Sequence, residues 1–154
     1  MEKFKVLDTS GDVGIKAFGK SIDEAFINAA TGMYSLITNL DAIKEKKTID
    51  VSVENPSLDG LIISWLNELI FHFDAYGFIG KKIEITEFTP TLTLPPRGGG
   101  MGGGEAFKLK ASISGEDFDP KRHENKLLIK AATYHKLRIE KIDDTWEIDV
   151  IFDI

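Results

Sequence analysis

Carboxylates are the residues of this chain best placed to do chemistry, and three stand apart from ordinary surface charge. Asp12 closes a turn of small residues, Thr9-Ser10-Gly11-Asp12, between two short stretches that alternate as strands. Asp119 sits beside Pro120 in a polar stretch. Asp153 is the penultimate residue, and the main-chain carboxylate of Ile154 follows directly behind it. Anionic groups side by side at a strand end repel one another unless a cation or an arginine neutralises them. Hard divalent cations such as calcium or magnesium are held by several oxygen donors of this type. Lys130 is the candidate amine. It interrupts the apolar run Leu127-Leu128-Ile129-Lys130-Ala131-Ala132, and strand alternation sets it on the face opposite Ile129 and Ala131. There it would meet solvent, a carboxylate cluster or a phosphate.

The other chemically capable residues say less. His72, His123 and His135 are scattered, with no HxH or HxxxH spacing, so they do not make a preformed histidine zinc site. His72 lies four residues after Glu68 on an apolar helix and reads as packed or paired. His123 falls in a polar loop, and His135 follows Tyr134 near a strand end. The chain has no cysteine, which excludes disulfides, thiolate metal sites and cysteine nucleophiles. Six of its 14 glycines crowd between Gly98 and Gly104. A phosphate-cradling loop would need GK followed by Ser or Thr and then a helix. Here Glu105 and Ala106 follow and a strand begins, so residues 95–105 read as a flexible loop.

The elements that must position these groups are legible from periodicity and caps. Strands are expected over residues 3–8, 13–18, 46–53, 78–86, 106–114, 127–134, 136–142 and 145–152. Ser21 with Glu24 three residues later is a capping box for a helix reaching about Asn39. Ser57 starts a second helix over Leu58–Tyr76, and Gly77 ends it. Leu61, Ile62, Trp65, Leu66, Leu69, Ile70 and Phe73 give that helix a stripe too wide for one wet side, so it should be central. Asp143-Asp144 is a hairpin turn. Eight strands and two helices make an α+β fold, and 154 residues suit a single domain, 1–154. Nineteen basic against 25 acidic residues give a net charge of −6, which argues against a duplex-DNA binder. No apolar run spans a bilayer and no signal peptide is evident, so a soluble, cytoplasmic protein is expected.

Four segments together resemble archease, the small protein partner of the RtcB-type tRNA-splicing ligase. They are Asp8–Gly14 (DTSGDVG), Ser57–Gly77 around Trp65-Leu66-Asn67-Glu68-Leu69, Gly115–His135, which ends in Lys130-Ala131-Ala132-Thr133-Tyr134-His135, and the ending Trp146–Ile154. Two features depart from the family pattern: Thr9 stands where a histidine is usual, and the glycine run is an elaboration. The resemblance implies a two-layer α+β arrangement, antiparallel or mixed, of strand-helix-strand-strand units, one inserted in the other. It implies a divalent cation, calcium, held by Asp12, Asp153 and the terminal residue Ile154, with Lys130 as the functional lysine. Asp119, His123 and His135 are further candidates in the matched segments. The protein would not itself make or break the RNA bond. It would speed guanylylation of the ligase by GTP and sustain multiple turnover in joining 2′,3′-cyclic or 3′-phosphate RNA to 5′-hydroxyl RNA, touching tRNA only through the ligase. Two rival readings remain: a stand-alone metal-dependent phosphoester hydrolase, and a chaperone-like interaction module using the second helix, for which Trp65 and Phe73 would have to be exposed. All of this requires the early turn and the last residues to meet in space.

Overall fold

Local signals set both helices. Ser21 accepts a hydrogen bond from the Glu24 amide at 3.3 Å and opens α1, Ile22–Ile37. Ser57 does the same for Gly60 at 2.9 Å and opens α2, Leu58–Tyr76. Gly77, at φ 71°, closes α2 in the left-handed region that glycine enters without steric cost. The computed structural model describes residues 2–9, 11–93 and 104–154. Its strands are β1 (Phe4–Thr9), β2 (Asp12–Gly19), β3 (Lys47–Asn55), β4 (Phe78–Thr93), β5 (Gly104–Asp117), β6 (Ala131–Ile142) and β7 (Thr145–Asp153).

These strands form two antiparallel sheets, ordered β1-β2-β7-β6 and β3-β5-β4. The chain order β3-α2-β4-β5 is one strand-helix-strand-strand unit. It lies inside a second such unit, β2-α1 continuing to β6-β7. In each unit the first strand pairs with the last, and the last pairs with the middle one. The nested arrangement expected from the resemblance is therefore present, with β1 added at one edge.

Both helices touch strands of both sheets, so one continuous core forms between them. Phe26, Met33 and Tyr34 of α1 pack with Trp65, Leu66 and Leu69 of α2 in that core, together with Ile15, Ile113 and Ile148. Trp65 is fully buried and its indole N–H donates to the Phe26 carbonyl at 3.1 Å. That bond satisfies the one polar atom a buried indole carries. The central position read for α2 is correct at Trp65. Phe73 differs: it is half-buried and stacks edge-on to Phe118 at 5.4 Å. No helix among the described residues is long and apolar enough to cross a membrane.

Three expectations need correction. The strands read at 127–134 and 136–142 are one strand, β6, broken only by a register shift between Thr133 and Arg138, where Lys136 takes a φ of 53°. Seven strands result among the described residues. Residues 127–130 precede this strand, and the segment begins by serving a helix end: the amides of Leu127 and its neighbour Lys126 donate to the Leu36 and Ile37 carbonyls at 3.2 and 3.0 Å. The last carbonyls of a helix have no partner within it, and this segment supplies one. Finally, the loop read at 95–105 ends too late, since Gly104 and Glu105 already pair with Thr93 and Leu92. The rest of that loop lies outside the described residues.

Candidate functional site

The first sheet brings the sequence-predicted carboxylates to one of its ends. Val13 of β2 pairs with Phe152 of β7, so one further step of the same register sets Asp12 against Asp153. On the other side of β7, Asp153 pairs with Ala131, and the Lys130 amide donates to the Asp153 carbonyl at 2.7 Å. The early turn, the last strand and the start of β6 therefore meet, as the sequence reading required. Asp12 is half-buried, while Lys130, Asp153 and Ile154 are exposed. His135, in the irregular stretch of β6, places Nε2 3.7 Å from Asp12 Oδ2. Among the described residues, no lysine or arginine forms an ion pair with Asp12 or Asp153.

The second sheet has an equivalent end, built the opposite way. There β5 finishes at Glu116 and Asp117 between the starts of β3 and β4. Its acids are neutralised by the chain itself. Lys47 pairs with Asp117, and Arg122 pairs with Glu116. Lys46 Nζ lies 3.7 Å from Glu116, and the Lys44 amide donates to it at 2.6 Å. His123 accepts a hydrogen bond from the Asp119 amide on Nδ1 at 2.8 Å. That leaves Nε2 as the nitrogen free to carry a proton toward Glu116 Oε2, at 3.3 Å. Asp119 and His123 thus belong to this second cluster and not with Asp12. They hold a turn: Asp119 Oδ1 accepts from the Lys121 amide at 3.0 Å, and its carbonyl accepts from Arg122 and His123.

Burial alone would push the Glu116 carboxyl up, but the Lys44 amide and the Arg122 guanidinium outweigh it and hold the group near about 2 rather than 4.5. The unfolded chain therefore takes up this proton first as acid is added. The resulting stabilisation is complete above pH 4.5 and is lost as pH falls from there toward 2. Glu116→Gln is expected to flatten the acid limb of the stability curve in that window, measured by denaturant unfolding at stepped pH. An unchanged limb would show that this carboxylate is not a source of acid sensitivity.

The archease protein family model (MTH1598/TM1083) matches residues 4–154. The chain belongs to the archease family. It is 32% identical to the protein archease of Pyrococcus abyssi, with all of both chains covered. It is also 32% identical to that of Pyrobaculum calidifontis, over 94% of this chain and 90% of the relative. The solution structure of Methanobacterium thermoautotrophicum protein 1598 shares the fold with a TM-score of 0.75 at 23% identity, covering the whole of both chains. The crystal structure of an archease from Thermotoga maritima, described as a possible chaperone, gives 0.56 at 18% identity, over 97% of this chain and 96% of that one.

Within this archease chain the donor chemistry at the Asp12 end suits a hard cation. Among the described residues no three His, Cys, Asp or Glu side chains converge as a metal group. Asp12 and Asp153 supply the two side-chain carboxylates at this end, and main-chain carbonyls are the other oxygen groups beside them. An oxygen-only set completed by water fits calcium or magnesium and does not suit zinc. Two residues that shape these sheet ends carry no role in the sequence reading. One is Glu116 at the second end, whose amide donor, Lys44, lies 72 residues away. The other is Asn67 on α2, whose Oδ1 accepts from the Ala132 amide at 2.8 Å and whose Nδ2 donates to the Ala132 carbonyl at 3.4 Å. The only sequence signal for Asn67 is a lone amide inside an apolar helical stripe. Asn67→Ala leaves both Ala132 groups short of partners and is expected to cost about 1–2 kcal/mol in denaturant unfolding. A loss under about 0.5 kcal/mol would mean that these bonds do not hold β6 to the helix.

Proposed function

We propose that this archease-family chain activates an RtcB-type tRNA-splicing RNA ligase, and that its active part is the sheet end formed by Asp12, Asp153, Ile154 and Lys130. The observation that carries the reading is the contrast between the two sheet ends. Where Glu116 and Asp117 converge, the chain supplies Lys46, Lys47 and Arg122. Where Asp12 and Asp153 converge, no described lysine or arginine lies within ion-pair reach, and His135 is the one described imidazole there. A divalent cation, calcium by this reading, would neutralise those carboxylates when bound.

The chain's own contribution is positional. Guanylylation forms a bond from the ligase's histidine nitrogen to the α-phosphorus of GTP and releases pyrophosphate, so its barrier depends on where charge is placed. Lys130 is exposed and its backbone is bonded to Asp153, so its ammonium, on a flexible stem, is a point charge suited to phosphate oxygens next to the acidic end. The acidic sheet end and net charge of −6 favour approach to a cationic RNA-binding cleft. The chain itself is not read as an enzyme.

A guanylylation time course with labelled GTP, run with the ligase alone and with this chain added, tests the proposal. Faster labelling and several rounds of joining per ligase are expected with the chain present. Superimposable time courses would end the reading, and metal-stimulated phosphoester hydrolysis by the chain alone would favour the hydrolase instead. A chaperone-like reading through the second helix needs Trp65 exposed, whereas Trp65 is fully buried here.

A further inference from the structure

We infer that a shallow groove beside Lys130 is where the chain grips its partner, and that its occupant is a short segment presenting one aliphatic or aromatic side chain flanked by lysine or arginine. The groove is about 450 Å³ and runs between the C-terminal half of α2 and the start of β6. Ile70, Phe71, Ala75 and Ala131 give it an apolar floor, and Asp74 and Lys130 line it as well.

Two observations set it apart from an ordinary surface crevice. Phe71 is 52% exposed although it belongs to the helix that carries the core. Its ring is also held in place, edge-on to His72 at 5.7 Å and to Tyr76 at 5.9 Å. A large aromatic fixed in the open loses little conformational freedom on binding, which is the property of an interface anchor. The occupant's charge follows from the groove's surroundings. Asp74 and Lys130 both line the groove and offset one another, and Asp153 and Asp12 follow across the adjoining strands, so the ion-free rim carries a net negative charge. A basic segment is complementary to that rim, whereas a second copy of this acidic chain would bring like charges together. This inference rests on the ligase reading and names the contact surface for it. An enzyme that joins RNA needs lysines and arginines to meet the phosphate backbone, which is where a basic segment would come from.

The test measures binding of the full chain to the ligase by titration calorimetry, at about 50 and about 300 mM salt. Phe71→Ala is expected to weaken binding by roughly 30-fold or more, as loss of an interface anchor does. Ile142→Ala, an exposed residue at the far end of β6, should leave affinity unchanged. Affinity of the unsubstituted chain should fall with salt. Calcium binding by Phe71→Ala should match the unsubstituted chain, which separates docking from ion binding. Undiminished ligase binding by Phe71→Ala would overturn the groove while leaving the ligase reading intact. Binding that ignores salt would overturn the basic occupant. Self-association of the chain that Phe71→Ala abolishes would assign the groove to a second copy. No binding by the unsubstituted chain would overturn both the groove and the ligase reading.

Discussion

Asp153→Asn is expected to return the ligase close to its unassisted rate. The side chain is exposed, and β6 and β7 are joined there through main-chain groups. An isosteric amide therefore leaves the fold in place while removing one of two side-chain charges from the proposed ion site. Losing an outer-shell partner already costs a metal site roughly 10–100-fold in affinity or activity, so losing a direct ligand should cost at least that in stimulation. Asp12→Asn should do the same. The double variant should be little worse than either single one, because groups that act through one ion fail together. Lys130→Ala should lose stimulation but keep the ion. Asp119→Asn should retain stimulation, since Asp119 caps a turn in the other cluster. The readout is multiple-turnover joining of 3′-phosphate RNA at matched protein concentrations, with circular dichroism to confirm folding. Full stimulation by Asp153→Asn would remove that carboxylate from the mechanism.

The second large effect is on stability. Trp65→Ala should cost about 3–5 kcal/mol, the range for emptying a buried aromatic site. The indole is fully enclosed and bonded to the Phe26 carbonyl, so its removal leaves a cavity where the two helices meet and takes away that bond. For a chain of this size each kcal/mol moves the midpoint by about 2–4 °C, so a fall of roughly 6–20 °C is expected in thermal unfolding. Below its lowered midpoint the variant should still stimulate the ligase. A stable Trp65→Ala chain with lost activity would instead make the helix stripe a contact surface, as the chaperone-like reading needs.

Where the sequence was informative follows from the range of the interactions. Ser21, Ser57 and Gly77 fix helix ends through partners within five residues, so both helices could be placed before any coordinates. The hairpin at Asp143-Asp144 was equally local, with positive φ at both residues as a type I′ turn requires. The single strand β6 was less legible, because only its ladder with β7 shows that the break at Lys136 is an irregularity and not a turn. Residues 127–130 looked like strand by alternation, but the end of α1 claims the Leu127 amide and that of its neighbour Lys126. The nearness of Asp12 to Asp153 came from the family resemblance, and the antiparallel register of β2 with β7 supplies its geometric basis. Glu116 escaped notice because its amide donor lies 72 residues away. Asp119 and His123 were candidates for the same site as Asp12, but the fold puts them with Glu116.

The central claim is that an early bend and the final strand share one hard ion. Calcium titration of the purified, metal-stripped chain by calorimetry addresses it directly, with the Asp12→Asn/Asp153→Asn chain alongside. One saturable site per chain is predicted for the unsubstituted protein, with no site in the double variant and an unchanged site in Lys130→Ala. Equal calcium binding by the unsubstituted and doubly substituted chains, or none by either, would contradict it.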